Sequence, residues 1–323
     1  MSTPGTPAGA TGDAVSVHSL MIGAMAVWGL NVTVVKVLTA TFDTLMLSTL
    51  RMVVACAALT VILLWRRCGV PALNRRQLAA VAGCGVLMVY LNQILLAEGL
   101  RRSTATNGAL IMALSPLVSA LLAALAFRER LTLQRLAGVV LGLGGVAAVV
   151  LSHPGASLSS AGAGDLMLVA SVVSFAVGGV VIQRLARQLH PLAISWAIYV
   201  IGAALLVLHT VLAPPAHMTA LAAPAVAGAF GGGFGSLWPW LLVLFSGVAA
   251  TAIGNLIWNR AIAAIGVART AMFLYWVPVF GVGFAALLLG ERLTGWHLAG
   301  FIAVMAGTWL GTRRPVWVKH TDR

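Results

Sequence analysis

One arginine interrupts the apolar run LMLSTLRMVVACAALTVILL, and that residue, Arg51, sets the chemistry open to this chain. Comparable apolar runs hold amides: Asn31, the pair Asn92 and Gln93, and Asn255 with Asn259 one turn on and Trp258 on the same side. Asn107 and Tyr275 stand near two mid-run prolines, Pro116 and Pro278. A guanidinium placed among apolar side chains must face protein, water or a bound anion, because a central charge costs at least about 2.5–3.5 kcal/mol on insertion. Amide and ring groups hold a solute by hydrogen bonds and contact without fixing its charge. These types suit reversible binding. Bond-making chemistry lacks its parts, since there is no H-E-x-x-H, no G-x-S-x-G and no acid cluster.

The expected cavity set is therefore Asn31, Arg51, Asn92, Gln93, Asn107, Asn255, Trp258 and Tyr275, with Pro116 and Pro278 as helix bends that remove a backbone donor. Blander readings compete. Arg51 lies near a span end and can snorkel. The amides can serve as interhelical hydrogen bonds, worth about 0.6 kcal/mol on average in membranes. Cys56, Cys68 and Cys84 show no metal spacing, so neither a metal, a cofactor nor a catalytic residue is expected.

Such a set needs long apolar helices to carry it, and the composition supplies them. The chain has 323 residues, 60% hydrophobic and 8% charged, against about 25% charged in soluble domains. The net charge of +13 is spread through short gaps between apolar runs, so no basic module exists for nucleic acid. The partners expected are the lipid bilayer and a small solute, with the chain a monomer or homodimer. Ten runs approach the roughly 20 residues that cross a bilayer: about 20–40, 44–64, 77–99, 105–126, 133–151, 165–184, 192–213, 237–257, 270–289 and 296–312. With the amino terminus inside, fifteen Lys and Arg fall in cytoplasmic segments and three in external loops. That bias places both termini in the cytoplasm of a plasma-membrane protein, of the bacterial inner-membrane kind. Residues 1–18 read as a disordered tail without a basic leading region, and 313–323 as a second tail.

The chain also repeats itself. FRERLTLQRLAG at 127–138 returns as LGERLTGWHLAG at 289–300, with seven of twelve positions identical. A shift of 162 residues carries Pro116 onto Pro278, Glu129 onto Glu291, Gly138 onto Gly300 and Gly145 onto Gly307. Earlier in the chain a shift of 147 sets Trp28 on Phe175 and Lys36 on Gln183; the difference is absorbed in 214–236. The halves are thus 20–151 and 165–312, joined by a linker at 152–164. Five spans per half is odd, so the second half enters the membrane inverted.

WGLNVTVVK at 28–36, TATNGALIMALSPLVSALLAALAFRERL at 104–131 and GDLMLVASVVSFA at 164–176 carry a resemblance to the drug/metabolite transporter superfamily, EamA type. Their order and spacing are more specific than any one motif. The resemblance implies an all-α membrane fold of ten spans in two five-span repeats. It also implies a secondary transporter, most often an exporter of amino acids or other small metabolites, with no catalytic role. Phe175 and Gln183 depart from the Trp and Lys of the first half. The competing functions are a non-transporting membrane partner or sensor and a membrane-embedded transferase.

Peripheral charges read as structural. Glu129 and Arg130, and Glu291 and Arg292, tie turns to helix ends, with Thr132 and Thr294 as caps. Lys36 is expected to snorkel or pair with Asp43, and Glu98 to pair with Arg101 and Arg102. His209 lies towards a span end. No Asp or Glu is expected deep in a span.

Overall fold

The computed structural model describes residues 10–70, 72–126, 133–151, 161–213, 237–265, 270, 272–291 and 293–312. Among them every regular element is helical. Six helices there are long and apolar enough to cross a membrane, and shorter apolar helices accompany them. Large apolar side chains such as Leu64, Val140 and Leu287 face outward, as lipid demands. The protein is a multi-pass membrane protein.

Local chemistry fixes where helices start. α1 spans Ala10–Leu38. α2, Thr44–Trp65, begins on Asp43, whose carboxylate accepts from the Leu45 and Met46 N–H groups. α3, Arg75–Cys84, opens on a reciprocal capping box between Asn74 and Gln77. It runs through a π-helical stretch, Gly85–Leu91, into α4, Asn92–Arg102. α5, Ala105–Met112, is capped by Thr104, and α6 is Ser115–Ala126. α7 covers Leu133–Leu151 and α8 covers Ala161–Leu185. α9, Pro191–Leu212, carries proline at its first position, where a missing N–H does no harm. α10, Leu237–Phe245, passes through a second π-helical stretch, Ser246–Ile253, into α11, Gly254–Ile265. A 3₁₀ turn, Met272–Tyr275, leads into α12, Trp276–Leu289, and α13 closes the described chain at Gly295–Thr312.

Two expectations shift. α1 starts at Ala10 and α8 at Ala161, inside stretches read as tail and linker; the small residues there let a formed helix propagate at one bond per residue. The remaining tail and linker residues, with Glu129, Arg130, Thr132 and Arg292, lie outside the described residues.

Packing joins the first part of the chain to the second throughout. α7 lies along α13, α1 against α12, and α4 to α6 against α8. α2 packs on α9 and the second π stretch, while α9 packs on the first. The close contacts are reciprocal. A Cβ on Gly85 would come 3.2 Å from the Ile198 carbonyl oxygen, and one on Gly247 2.9 Å from that of Arg51. Likewise Gly145 meets the Gly300 carbonyl and Gly307 that of Gly138. Each member of one pair is the shifted counterpart of a member of the other. The π stretches end at Leu91 and Ile253, again 162 apart. The prolines sit alike: Pro116 is second in α6 after a turn at 113–114, and Pro278 third in α12 after the 3₁₀ turn.

A Cβ at Gly307 would lie 2.5 Å from the Gly142 nitrogen, a backbone atom that cannot rotate away, whereas Gly283 has nothing within 4 Å. Gly307→Ala should therefore force α7 and α13 apart at a cost of about 1–3 kcal/mol. Gly283→Ala should be neutral or slightly stabilising, because alanine is the better helix former. Thermal unfolding of the two variants in detergent checks the opposite signs.

Candidate functional site

Arg51 is 1% exposed although it sits mid-helix in α2. Its Nε donates to Ser246 Oγ at 2.5 Å and its Nη1 to Gln93 Oε1 at 3.0 Å. Ser246 Oγ passes its own proton to Asn31 Oδ1 at 2.5 Å. Gln93 Nε2 donates to Asn92 Oδ1 at 3.0 Å, and Asn92 Nδ2 to the Ser171 carbonyl at 2.9 Å and hydroxyl at 2.8 Å. Every bond in this relay is donated away from the guanidinium, the orientation a cation imposes on neighbouring dipoles. Among the described residues no carboxylate pairs with Arg51.

The π stretches bring these residues together. Each widens a helical turn directly before Asn92–Gln93 or before Gly254–Asn255, and such turns recur at functional sites. Side chains also bond carbonyls of these stretches: Ser174 Oγ donates to Leu87 O at 2.5 Å and Thr251 Oγ1 to Ser246 O at 2.7 Å. Trp28 Nε1 donates to Ala250 O at 2.8 Å. Its indole fits because residue 254 is glycine: a Cβ there would stand 2.5 Å from Nε1.

The result is a partly open cavity. Its lining combines polar side chains, among them Asn31, Arg51, Asn92, Gln93 and Asn255, with apolar ones, among them Trp28, Met112, Leu168, Phe175 and Leu274. Trp258 stands behind Trp28 and Phe175 at ring-centroid distances of 5.5 and 6.1 Å.

Five of the eight residues expected from sequence thus line one space, and three do not. Asn107 sits in the first turn of α5, where its Nδ2 faces Asp165 Oδ1 at 3.4 Å. Trp258 is 2% exposed and supports the aromatic wall from the rear. Tyr275 ends the 3₁₀ turn, one residue past Leu274, and the helical step points it off the cavity. Asn259 turns to Ser195 Oγ at 2.7 Å on α9. Ser171 and Ser246 were not anticipated; in alanine- and glycine-rich runs a serine reads as a packing residue.

A second polar cluster lies where α4 ends and α5 begins. Glu291 accepts from the Ala105 N–H at 3.0 Å, the Thr106 N–H at 2.9 Å and the Thr106 hydroxyl. A carboxylate on first-turn amides also meets the positive end of the helix dipole. Lys36 does not pair with Asp43: its Nζ donates to the Leu100 and Ser103 carbonyls at 2.8 and 2.5 Å, satisfying the end of α4. Asp165, 5% exposed, accepts from Ser103 Oγ at 2.6 Å, so a buried carboxylate sits near the start of α8. Glu98 binds Arg101, Arg102 and Thr44, as surface pairing requires. Thr294 caps α13 together with the His297 ring, and His209 meets the Tyr90 hydroxyl at 2.9 Å.

Comparison with known proteins gives a family model, described as "EamA-like transporter family", that matches residues 15–151 and 162–313. The chain is 26% identical to a "Probable amino-acid metabolite efflux pump" of Salmonella typhimurium, covering 88% of this chain and 91% of that one. It is 28% identical to a "Probable terminal-alkyne amino-acid exporter" of Streptantibioticus cattleyicolor over 76% and 77% of the two chains. It is 23% identical to an uncharacterized transporter of Bacillus subtilis over 91% and 92%. A solved crystal structure, called no more than a protein, shares the fold at TM-score 0.66 and 20% identity, over 92% of this chain and 96% of that one.

Glu291→Ala strips the acceptor from two amides and a hydroxyl at the start of α5. The expected loss is about 1–3 kcal/mol of stability, the penalty for leaving partly buried donors unmet. Glu291→Gln, which keeps one oxygen, should lose less; melting curves of the two variants in one detergent rank them.

Proposed function

This chain belongs to the EamA-like transporter family, and from that premise we propose that it carries a small metabolite, an amino acid or similar solute, out across the bacterial plasma membrane by alternating access. The observation that carries this reading is the polar cavity at the junction of the first and second parts of the chain. The solute binds there against Asn31, Arg51, Asn92, Gln93 and Asn255, while Asn107, Trp258 and Tyr275 support the surrounding helices.

The reciprocal glycine contacts support two inverted repeats of five spans each. In such a pair one element contacts the counterpart of the other's contact, as at an isologous interface. The matched π stretches and the matched turns before Pro116 and Pro278 support bending at equivalent depths in the two halves. Both termini then lie in the cytoplasm. The relatives named as exporters support the direction, and the spread of solutes within such names leaves the solute to be found by assay.

Overproduction should raise the extracellular level of at least one amino-acid-like metabolite, and deletion should raise its intracellular level. Arg51→Ala and Asn255→Ala should abolish the difference while the protein remains in the membrane fraction. Single-cysteine labelling should reach 128–131 and 290–293 from opposite faces; labelling of both from one face removes the inverted repeat. Unchanged metabolite profiles in all strains remove the transport reading.

A further inference from the structure

The cavity wall holds one charge and no counter-charge. Of the residues that line it, Arg51 is the cation, and none is Asp or Glu. An arginine stays protonated inside proteins. Its relay uses one hydrogen on Nε and one on Nη1; both hydrogens of Nη2 and the second of Nη1 have no acceptor among the described residues. The salt bridges found there join Glu98 to Arg101 and Arg102 and leave Arg51 aside.

The amide oxygens nearest the charge are already engaged. Gln93 Oε1 accepts from Arg51, Asn92 Oδ1 from Gln93 and Asn31 Oδ1 from Ser246. An ammonium group entering here would meet a like charge and no carboxylate. The same lining holds Trp28 and Phe175, which meet edge to face at 6.1 Å. The polarity follows from differences between the two parts of the chain. Under the shifts that relate them, Ile198 stands where Arg51 does, Gly178 where Asn31 does, and Cys84 where Ser246 does. The counterpart of the Ser246–Asn31 bond is a long Cys84 Sγ contact to the Gly178 carbonyl at 3.7 Å. The charge therefore has no counterpart at the equivalent position.

We propose that the cavity recognises its solute, an amino acid or similar metabolite, through a carboxylate bidentate on Arg51, with the apolar or aromatic body against Trp28 and Phe175, so that the matching monocarboxylate binds more tightly than the zwitterion and the bare amine least; this rests on the transport reading of the same site. A planar guanidinium fork matches a carboxylate in geometry as well as sign. The ring or chain then lies against Trp28 and Phe175, where burial of apolar surface holds it.

Three probes of one ring separate the charge states: 3-phenylpropanoate, phenylalanine and phenethylamine. Equilibrium dialysis of the full-length protein in nanodiscs gives each Kd. The anion should bind at least tenfold more tightly than phenylalanine, and phenethylamine should not bind measurably. Arg51→Gln should erase that tenfold margin, and Arg51→Lys should keep part of it. The wild-type ranking decides the matter even where Arg51→Gln fails to fold. Phenylalanine binding as tightly as the anion, phenethylamine binding best, or none of the three binding overturns the proposal. Flux in proteoliposomes keeps the two readings apart: an anion that binds but does not cross preserves the assignment of charge and removes transport, whereas phenylalanine crossing without the anion does the reverse.

Discussion

A guanidinium with 1% exposure, held inside an apolar helix, is the constraint around which the rest of this protein is arranged. Its insertion cost is at least about 2.5–3.5 kcal/mol. Hydrogen bonds to a charged group contribute about 1.5–3 kcal/mol each, and Arg51 makes two to side chains, one to Ser246 and one to Gln93. Gain and cost are of the same size, so the residue is tolerated and adds no net stability. What it imposes is convergence. Oxygens from α4 and from the second π stretch must reach it, and those groups in turn call on α1 and α8. The cavity lies where those helices are obliged to meet.

The glycine contacts around that charge are reciprocal, and the charge is not. Gly85 and Gly247 let the two π stretches approach backbone carbonyls at Ile198 and Arg51, which are equivalent positions. Backbone packing tolerates the exchange because only main-chain atoms are involved. Side chains at the same positions point into different surroundings, and one is arginine while the other is isoleucine. Trp28 and Phe175, which the 147-residue shift sets on each other, touch edge to face.

Sequence made the polar half of the site legible for a plain reason: a polar group in a lipid-length apolar run has no cheap explanation. Arg51, Asn31, Asn92, Gln93 and Asn255 stand out that way, and all five line the cavity. Trp258 is placed by helical spacing with Asn255 and Asn259, and Tyr275 by its nearness to Pro278; neither signal says which side of the helix faces the cavity, because one extra residue in a π turn rotates everything beyond it by roughly 100°. Asn107 was legible as polar but not as a partner of Asp165, since that contact joins α5 to α8 across 58 residues. The serines were hidden by their size, and Asp165 by its place at a span edge. Helix positions in the long runs followed from hydrophobicity alone, whereas the π stretches left no mark, because their residues, GVLMVYL and SGVAATAI, suit an ordinary helix.

The relay also joins the two parts of the chain. Arg51, Gln93, Asn92 and Asn31 all precede residue 151, whereas Ser246 and Ser171 follow residue 161, as does Glu291, which holds the first turn of α5. The Arg51–Gln93 and Gln93–Asn92 bonds stay within the first part; the bonds that join Ser246 to Arg51 and Asn31, and Ser171 to Asn92, tie it to the second. A buried charge cannot stay unmet at low dielectric, so Arg51 depends on oxygens from both parts, and the polar lining of the cavity exists only where the two parts pack together.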